Sequence, residues 1–172
     1  MSWIQTFTGK AFYPLADEPG EIDIRDIAHA LSLQCRFNGH CNVFYSVAQH
    51  SVHVSEVVPS EFALWGLMHD AAEAYLSDLP RPVKGQMPQF SELEDKLLGR
   101  ILAAYDLSLP MPSQVKLADE QLLMTEARDL MQSPPMDWLI PVDALDDLKI
   151  EPMSPTQAEQ AFLQRYDQLT QC

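Results

Sequence analysis

Apolar residues recur at helical spacing along most of the chain, and that recurrence predicts an all-α fold. Ile22, Ile24, Ile27, Ala28, Leu31 and Leu33 follow the helical period, with Asp23 placed to cap and Asp26 at the third helical position, so a helix is expected over Ile24 to Gln34. Ser46-Val47-Ala48-Gln49 has the form of a capping box and opens a helix over Val47 to Val58. Pro59-Ser60 ends that helix and starts the next, from Glu61 to Leu76. A second box at Ser91-Glu92-Leu93-Glu94 leads a helix to Tyr105, and Ser113 caps a long one from Gln114 to Met131. Ser154-Pro155-Thr156-Gln157 joins a capping box to a proline at the first helical position, and the last helix runs from Thr156 to Leu169. Residues 2 to 14 instead alternate apolar and polar around Thr8-Gly9-Lys10, which predicts a short N-terminal β-hairpin. The stretches 35–45, 82–89 and 133–152 carry Gly, Asn or Pro without a period and read as loops, the first as a loop or a short turn, with a turn of helix expected around Val142 to Leu148. The expected architecture is one bundle of about six helices filling residues 1–172 as a single domain.

Composition narrows the partners. Lys and Arg number 11 against 25 Asp and Glu, a formal charge of -14 that repels nucleic-acid polymers and anionic membranes. A small phosphorylated substrate remains compatible where a few cations are concentrated. No apolar run approaches the roughly 20 residues of a membrane span, and residues 1 to 10 lack the basic and apolar regions of a signal peptide, so a cytoplasmic protein is expected. Cys35, Cys41 and Cys172 have no CxxC spacing; free thiols in a reducing compartment are expected rather than a disulfide framework or a zinc knuckle.

The informative irregularity lies in Leu67-Met68-His69-Asp70-Ala71-Ala72-Glu73-Ala74-Tyr75-Leu76, where an adjacent His and Asp interrupt an apolar run and a Glu follows one turn later. Burying such groups is costly unless they are paired or ligated. On a helix residues three and four apart share a face, so Glu73 sits over both Asp70 and His69. His50 and Asp119 break the apolar or small pattern of two other helices in the same way. Each of these residues alone has a structural explanation: a helical His is commonly a core-edge partner, and Asp119 sits one turn from Lys116. Together, two imidazoles and two carboxylates suit one divalent ion such as Mn²⁺, Fe²⁺, Co²⁺, Zn²⁺ or Mg²⁺.

The spaced pattern of His50, His69-Asp70 and Asp119 resembles the HD superfamily of metal-dependent phosphohydrolases, whose four ligand positions these residues match. The resemblance extends to the bacterial 5'-deoxynucleotidases of that superfamily and to phage-associated HD hydrolases. It is carried by Val47-Ala48-Gln49-His50-Ser51, His69-Asp70-Ala71-Ala72-Glu73, Asp78-Leu79-Pro80-Arg81-Pro82-Val83-Lys84 and Val115-Lys116-Leu117-Ala118-Asp119, within residues 36–119. Gln49 departs from the pattern, since the deoxynucleotidases carry Glu there. The resemblance implies hydrolysis of a phosphomonoester, such as a deoxyribonucleoside 5'-monophosphate, by metal-activated water. It implies that Asp78 protonates the leaving 5'-oxygen and that Arg36 contacts substrate.

From the residues themselves, Glu73 is placed to orient the water or accept its proton. Arg36, Arg81 and Lys84 are the cations available to a phosphate, and His40 is a candidate substrate contact. His53 is expected outside the ligand set and His29 to be structural. The absence of any His beyond His69 favours a single metal ion. Hydrolysis of a nucleoside triphosphate or an alarmone, and a non-catalytic metal- or nucleotide-binding module, stand as alternative readings. Members of this superfamily commonly pair, so a homodimer using Trp3, Trp65 or Trp138 is a further expectation.

Overall fold

A computed structural model describes residues 2–171. Cys172, expected as a free thiol, lies outside the described residues. The fold is all-α with the short N-terminal hairpin. Strands β1 (Ile4–Gln5) and β2 (Ala11–Phe12) pair antiparallel with Ile4 opposite Phe12, and Gly9 takes the left-handed conformation in the turn, φ 84°. Phe12 is fully buried and stacks on Tyr75 at 3.9 Å between ring centroids, so the hairpin is fastened through one aromatic side chain.

The helices are α1 (Ile24–Leu33), α2 (Val47–Val57), α3 (Ala63–Met68), α4 (Glu73–Leu76), α5 (Arg81–Lys84), α6 (Pro88–Ala103), α7 (Ser113–Leu130) and α8 (Pro155–Thr170). Helix α2 lies at the centre, against α1, α3, α7 and α8, and is buried on nearly every side, as a helix without a continuous polar face must be. Around it Ile27 and Leu31 of α1, Leu67 and Met68 of α3, Ile101 of α6, Leu122 of α7 and Phe162 of α8 form a contiguous apolar core. The closest approach is at Gly66, where a Cβ would stand 3.1 Å from Ser55 Cα; only a glycine lets α3 come this near α2.

Several local expectations are corrected. Asp23 caps α1 as expected, but Asp26 accepts from Thr8 N at 2.7 Å and Thr8 Oγ1 at 2.9 Å and so ties the hairpin to α1. Ser46 accepts from Gln49 N, yet the Gln49 amide does not close the box; it donates to Glu151 O and accepts from Met153 N, each at 2.8 Å. The stretch 35–45 does contain a short turn, of 3₁₀ form over Arg36–Gly39. The stretch 82–89 is not wholly a loop, since α5 opens it and α6 starts at Pro88, with Ser91 inside the helix rather than at its cap. Pro112 is the cap of α7 and Ser113 its first residue. No helix forms over Val142 to Leu148; Thr125 Oγ1, the Arg128 guanidinium and the Asp129 carboxylate instead satisfy backbone groups of Leu145, Leu148 and Ile150. Trp65 is core rather than interface, with Nε1 donating to Ser108 O at 3.3 Å.

The expected helix from Glu61 to Leu76 is in pieces: a 3₁₀ turn at Ser60–Phe62, then α3, then a run of turns over 69–72, then α4. Across that break Ala71 N, Glu73 N and Ala74 N bond three residues back, to Met68, Asp70 and Ala71 carbonyls, which is 3₁₀ geometry. The tightening falls on the His-Asp pair. No helix is long and apolar enough to cross a membrane among the described residues.

Candidate metal centre

Helix α2 brings His50, the turn after α3 brings His69 and Asp70, and α7 brings Asp119 to one place. Ligand atoms of His50, His69 and Asp119 all lie within 4.8 Å of one another. Asp70 Oδ2 is 3.1 Å from His69 Nε2 and 3.9 Å from His50 Nε2, and Asp119 Oδ1 is 3.2 Å from His50 Nε2. The four residues expected to hold the ion are therefore neighbours.

The imidazoles are oriented from behind. His50 Nδ1 lies 2.6 Å from Glu126 Oε1, and a carboxylate only accepts, so the proton is on Nδ1. His69 Nδ1 likewise donates to Gly66 O at 2.7 Å. In the neutral ring each Nε2 then carries a lone pair, and both Nε2 atoms are buried without a hydrogen-bond partner. A backing acceptor on one nitrogen and an orphaned lone pair on the other is how a His ligand is prepared for a cation. Two such nitrogens with two carboxylates fit a divalent ion.

Glu126 was not anticipated. It is fully buried, and besides His50 it accepts from Arg36 Nε and Tyr45 Oη, each at 2.9 Å. Its signal in the sequence is its place seven residues, two helical turns, beyond Asp119 on the same face of α7. Burial alone would raise the Glu126 carboxyl, but Arg36 and His50 outweigh it and hold it below the ordinary range. Burial would also lower His50, with Arg36 adding to that, yet Glu126 and Asp119 push the imidazole up to about 9, so near neutral pH a cation that takes the Nε2 lone pair displaces a proton from it. The Asp70 carboxyl, which burial would raise, is held low by His69, His50 and Arg36, and Asp119 is lowered against burial by His50 and His69. The carboxylates thus stand ionised around the two rings.

Glu73, one 3₁₀ turn beyond Asp70, is also buried, and its carboxylate takes no hydrogen-bond partner among the described residues. Burial, then the charges of Asp70 and Asp78, push it well above the usual carboxylate range. It faces a cleft of about 290 Å³ that Arg36, Phe37, Ser77 and Asp78 also line. Arg36 connects the cleft to the cluster, with Nη1 3.8 Å from Asp70 Oδ2. Asp78 follows Ser77, a non-glycine residue at φ 62° that turns the chain out of α4 and across the cleft.

Lys84 does not reach the cleft as a free cation. Its ammonium is 2.6 Å from Asp78 Oδ1 and 3.0 Å from both oxygens of Glu94. Arg81 is exposed on α5 and His40 is exposed after the Arg36–Gly39 turn; neither lines the cleft. His53 stays outside the cluster beside Glu56, and His29 joins α1 to α8 through Glu159 at 3.1 Å.

No family model matches the chain. It is 42% identical over 173 residues to the uncharacterized protein YfdR of Escherichia coli, covering 99% of this chain and 97% of that protein. It is also 32% identical over 127 residues to an uncharacterized protein of Rhodobacter capsulatus, covering 68% of this chain and 65% of that protein.

Proposed function

We propose that this chain, which belongs to the same family as the Escherichia coli protein YfdR, is a metal-dependent phosphohydrolase of the HD type that cleaves the phosphomonoester of a small nucleotide, such as a deoxyribonucleoside 5'-monophosphate. The observation that carries this reading is the pair of buried, unpartnered Nε2 atoms of His50 and His69 facing Asp70 and Asp119 beside a cleft with an unpartnered carboxylate. Those four residues would hold one divalent ion. When bound, it supplies Lewis acidity toward water and a phosphoryl oxygen.

The chain's own groups divide the remaining work. Glu73 orients the attacking water and takes its proton, a role suited to a carboxylate of raised proton affinity. Arg36 is held by Glu126 through Nε and turns the rest of its guanidinium toward the cleft and Asp70, where it meets a phosphate oxygen. Asp78, at the mouth of the cleft, gives a proton to the leaving oxygen. Lys84 holds Asp78 in place at 2.6 Å, and Glu94 grips the same ammonium with both oxygens. Lys84 and Glu94 are positioning residues in this scheme.

The test is release of orthophosphate from deoxyribonucleoside 5'-monophosphates with Mn²⁺, Co²⁺ or Mg²⁺. Asp70→Ala is expected to lower the rate by more than the roughly 10–100-fold that loss of an outer hydrogen-bond partner costs at metal sites. Turnover unchanged in that variant would remove the cluster from the chemistry. Pyrophosphate or tripolyphosphate as product, from a nucleoside triphosphate or an alarmone, would move the reaction to another linkage.

A further inference from the structure

Two of the thiols expected to be free are free and are neighbours: Cys35 Sγ lies 3.6 Å from Cys41 Sγ. They bracket the Arg36–Gly39 turn, in which Phe37 and Asn38 both take left-handed backbone conformations, φ 54° and 49°. Cys35 sits on a paired stem: it bridges Ser46, Arg36 N donates to Tyr45 O at 2.8 Å, and Val47 N donates to Gln34 O at 3.0 Å. Cys41 is on the returning limb, where its thiol donates to Arg36 O at 3.7 Å and the next residue's N–H donates to Leu130 O. Cys35 also lines the cleft beside Arg36.

We propose that Cys35 and Cys41 are a redox modification site, in which an oxidant of the peroxide class joins the two sulfurs and the new bond draws in the turn that presents Arg36 to the cleft. Cys35, open to the cleft, meets the oxidant first. Its thiolate attacks one peroxide oxygen, the O–O bond breaks, and a sulfenic acid forms with departure of hydroxide, which takes up the proton Cys35 released. The Cys41 sulfur then attacks the Cys35 sulfur and displaces the sulfenic hydroxyl, which leaves as a second water with the Cys41 proton. In sum, two thiols and one hydrogen peroxide give one disulfide and two waters; the sulfurs lose two electrons and the peroxide gains them. Burial pushes the Cys41 thiol up, which leaves the first encounter with peroxide to Cys35.

A disulfide of about 2.05 Å requires the sulfurs to approach by about 1.5 Å. The stem fixes Cys35, so Cys41 makes the move. Its thiol then no longer donates to the Arg36 carbonyl, and a turn with two consecutive left-handed residues has little slack to absorb the shift. Arg36, tied to Glu126 at its other end, takes up the difference.

The full chain is exposed to stoichiometric hydrogen peroxide, its remaining thiols are alkylated, and it is digested with trypsin without reductant. Cleavage after Arg36 places the cysteines in separate peptides, residues 26–36 and 37–84, which the disulfide rejoins and dithiothreitol releases. Recovery of that linked pair is the expected result. Both cysteines alkylated after exposure, either one linked to Cys172, or Cys35 carried to sulfinic acid beside a free Cys41 would overturn the proposal. The effect on the cleft rests on the phosphohydrolase reading and is measured separately. Oxidation is expected to slow phosphate release by roughly tenfold or more, the scale of a binding group misplaced by about an ångström, with recovery in dithiothreitol. If the reduced protein is inactive, that reading fails while the peptide map still decides the thiol pair. If reduced and oxidised protein turn over alike, the pair has no hold on Arg36 and the regulatory half is wrong.

Discussion

Glu126 shows how one unanticipated residue organises a cluster whose other members, His50, His69, Asp70 and Asp119, the sequence singles out. It accepts from His50, Arg36 and Tyr45 at once, so the imidazole, the guanidinium and the phenol are placed by a single carboxylate. Glu126→Gln keeps the shape but removes the charge, leaving Arg36 buried beside a neutral amide. Loss of one partner from a buried pair costs about 3–5 kcal/mol, so metal-free Glu126→Gln is expected to unfold more easily by about 3 kcal/mol in denaturant titrations near neutral pH. The sign of its pH dependence follows from the lowered carboxyl. The native charge contributes fully above the ordinary value of 4.5 and is lost as pH falls through the lower folded value, while the His50 proton that Glu126 helps to hold is lost between about 6.5 and 9, so the gap between the two proteins should hold from pH 4.5 to 6.5 and narrow on either side. A gap that widens in acid would contradict this account. His50, His69, Asp70 and Asp119 were legible because each interrupts an apolar pattern. Glu126 was not, because in Thr125-Glu126-Ala127-Arg128-Asp129 a Glu has the look of a solvated helix face. Only its two-turn spacing from Asp119 marked it.

The same limit appears in the elements. Periodicity located the long helices because burial of one face is written into the spacing of apolar residues, and the Ser154 box held because Gln157 reaches back as the motif requires. It missed the break after Met68, since residues 61–76 carry good helix formers throughout. What shifts the chain to 3₁₀ bonding there is tertiary: Gly66 lets α3 lie against Ser55, and the Gly66 carbonyl is committed to His69 Nδ1. Gly66→Ala would place a methyl 3.1 Å from Ser55 Cα and 3.2 Å from Ser55 N, backbone atoms that cannot swing aside. The expected cost is about 1–3 kcal/mol of stability, as for overpacking, with weakened metal binding because α3 carries His69 away from His50. Chemical denaturation and manganese titration check the two effects; unchanged affinity would mean the 69–72 turn is positioned independently of α3. Residues 133–152 were equally unreadable in detail, because their backbone is satisfied by side chains of Gln49, Thr125, Arg128 and Asp129 rather than by a repeating pattern of their own. Gln49→Glu tests that strap. The carboxylate still accepts from Met153 N but faces the Glu151 carbonyl with no proton to give, and an unfolding penalty of about 1–3 kcal/mol is expected. A stability equal to that of the parent would show that the amide donor to Glu151 is dispensable.

Across the whole molecule, α2, the turn after α3 and α7 meet only when the bundle is closed, so the cluster of His50, His69, Asp70 and Asp119 belongs to the folded state alone. The site is acidic within a chain of formal charge -14, and Asp70, Asp119 and Glu73 stand close together with Arg36 as their shared cation. A divalent ion that binds this arrangement and not the unfolded chain must stabilise the fold by mass action. At a free concentration one hundred times Kd the gain is about 2.7 kcal/mol, and for a chain of this length each kcal/mol moves Tm by roughly 2–4 °C. Protein stripped with chelator and returned to Mn²⁺, Co²⁺, Zn²⁺ or Mg²⁺ should therefore rise in Tm by about 5–10 °C with at least one of them, and the rise should grow with the logarithm of concentration once the site is filled. Asp119→Asn serves as the control, because it retains a side chain of the same size on α7 while removing a ligand charge. Its metal-free Tm should lie near that of the parent while the metal-induced rise is lost. An equal rise in both proteins would place the bound ion on the general acidic surface. No rise with any of the four ions would remove the metal reading of the two buried Nε2 atoms.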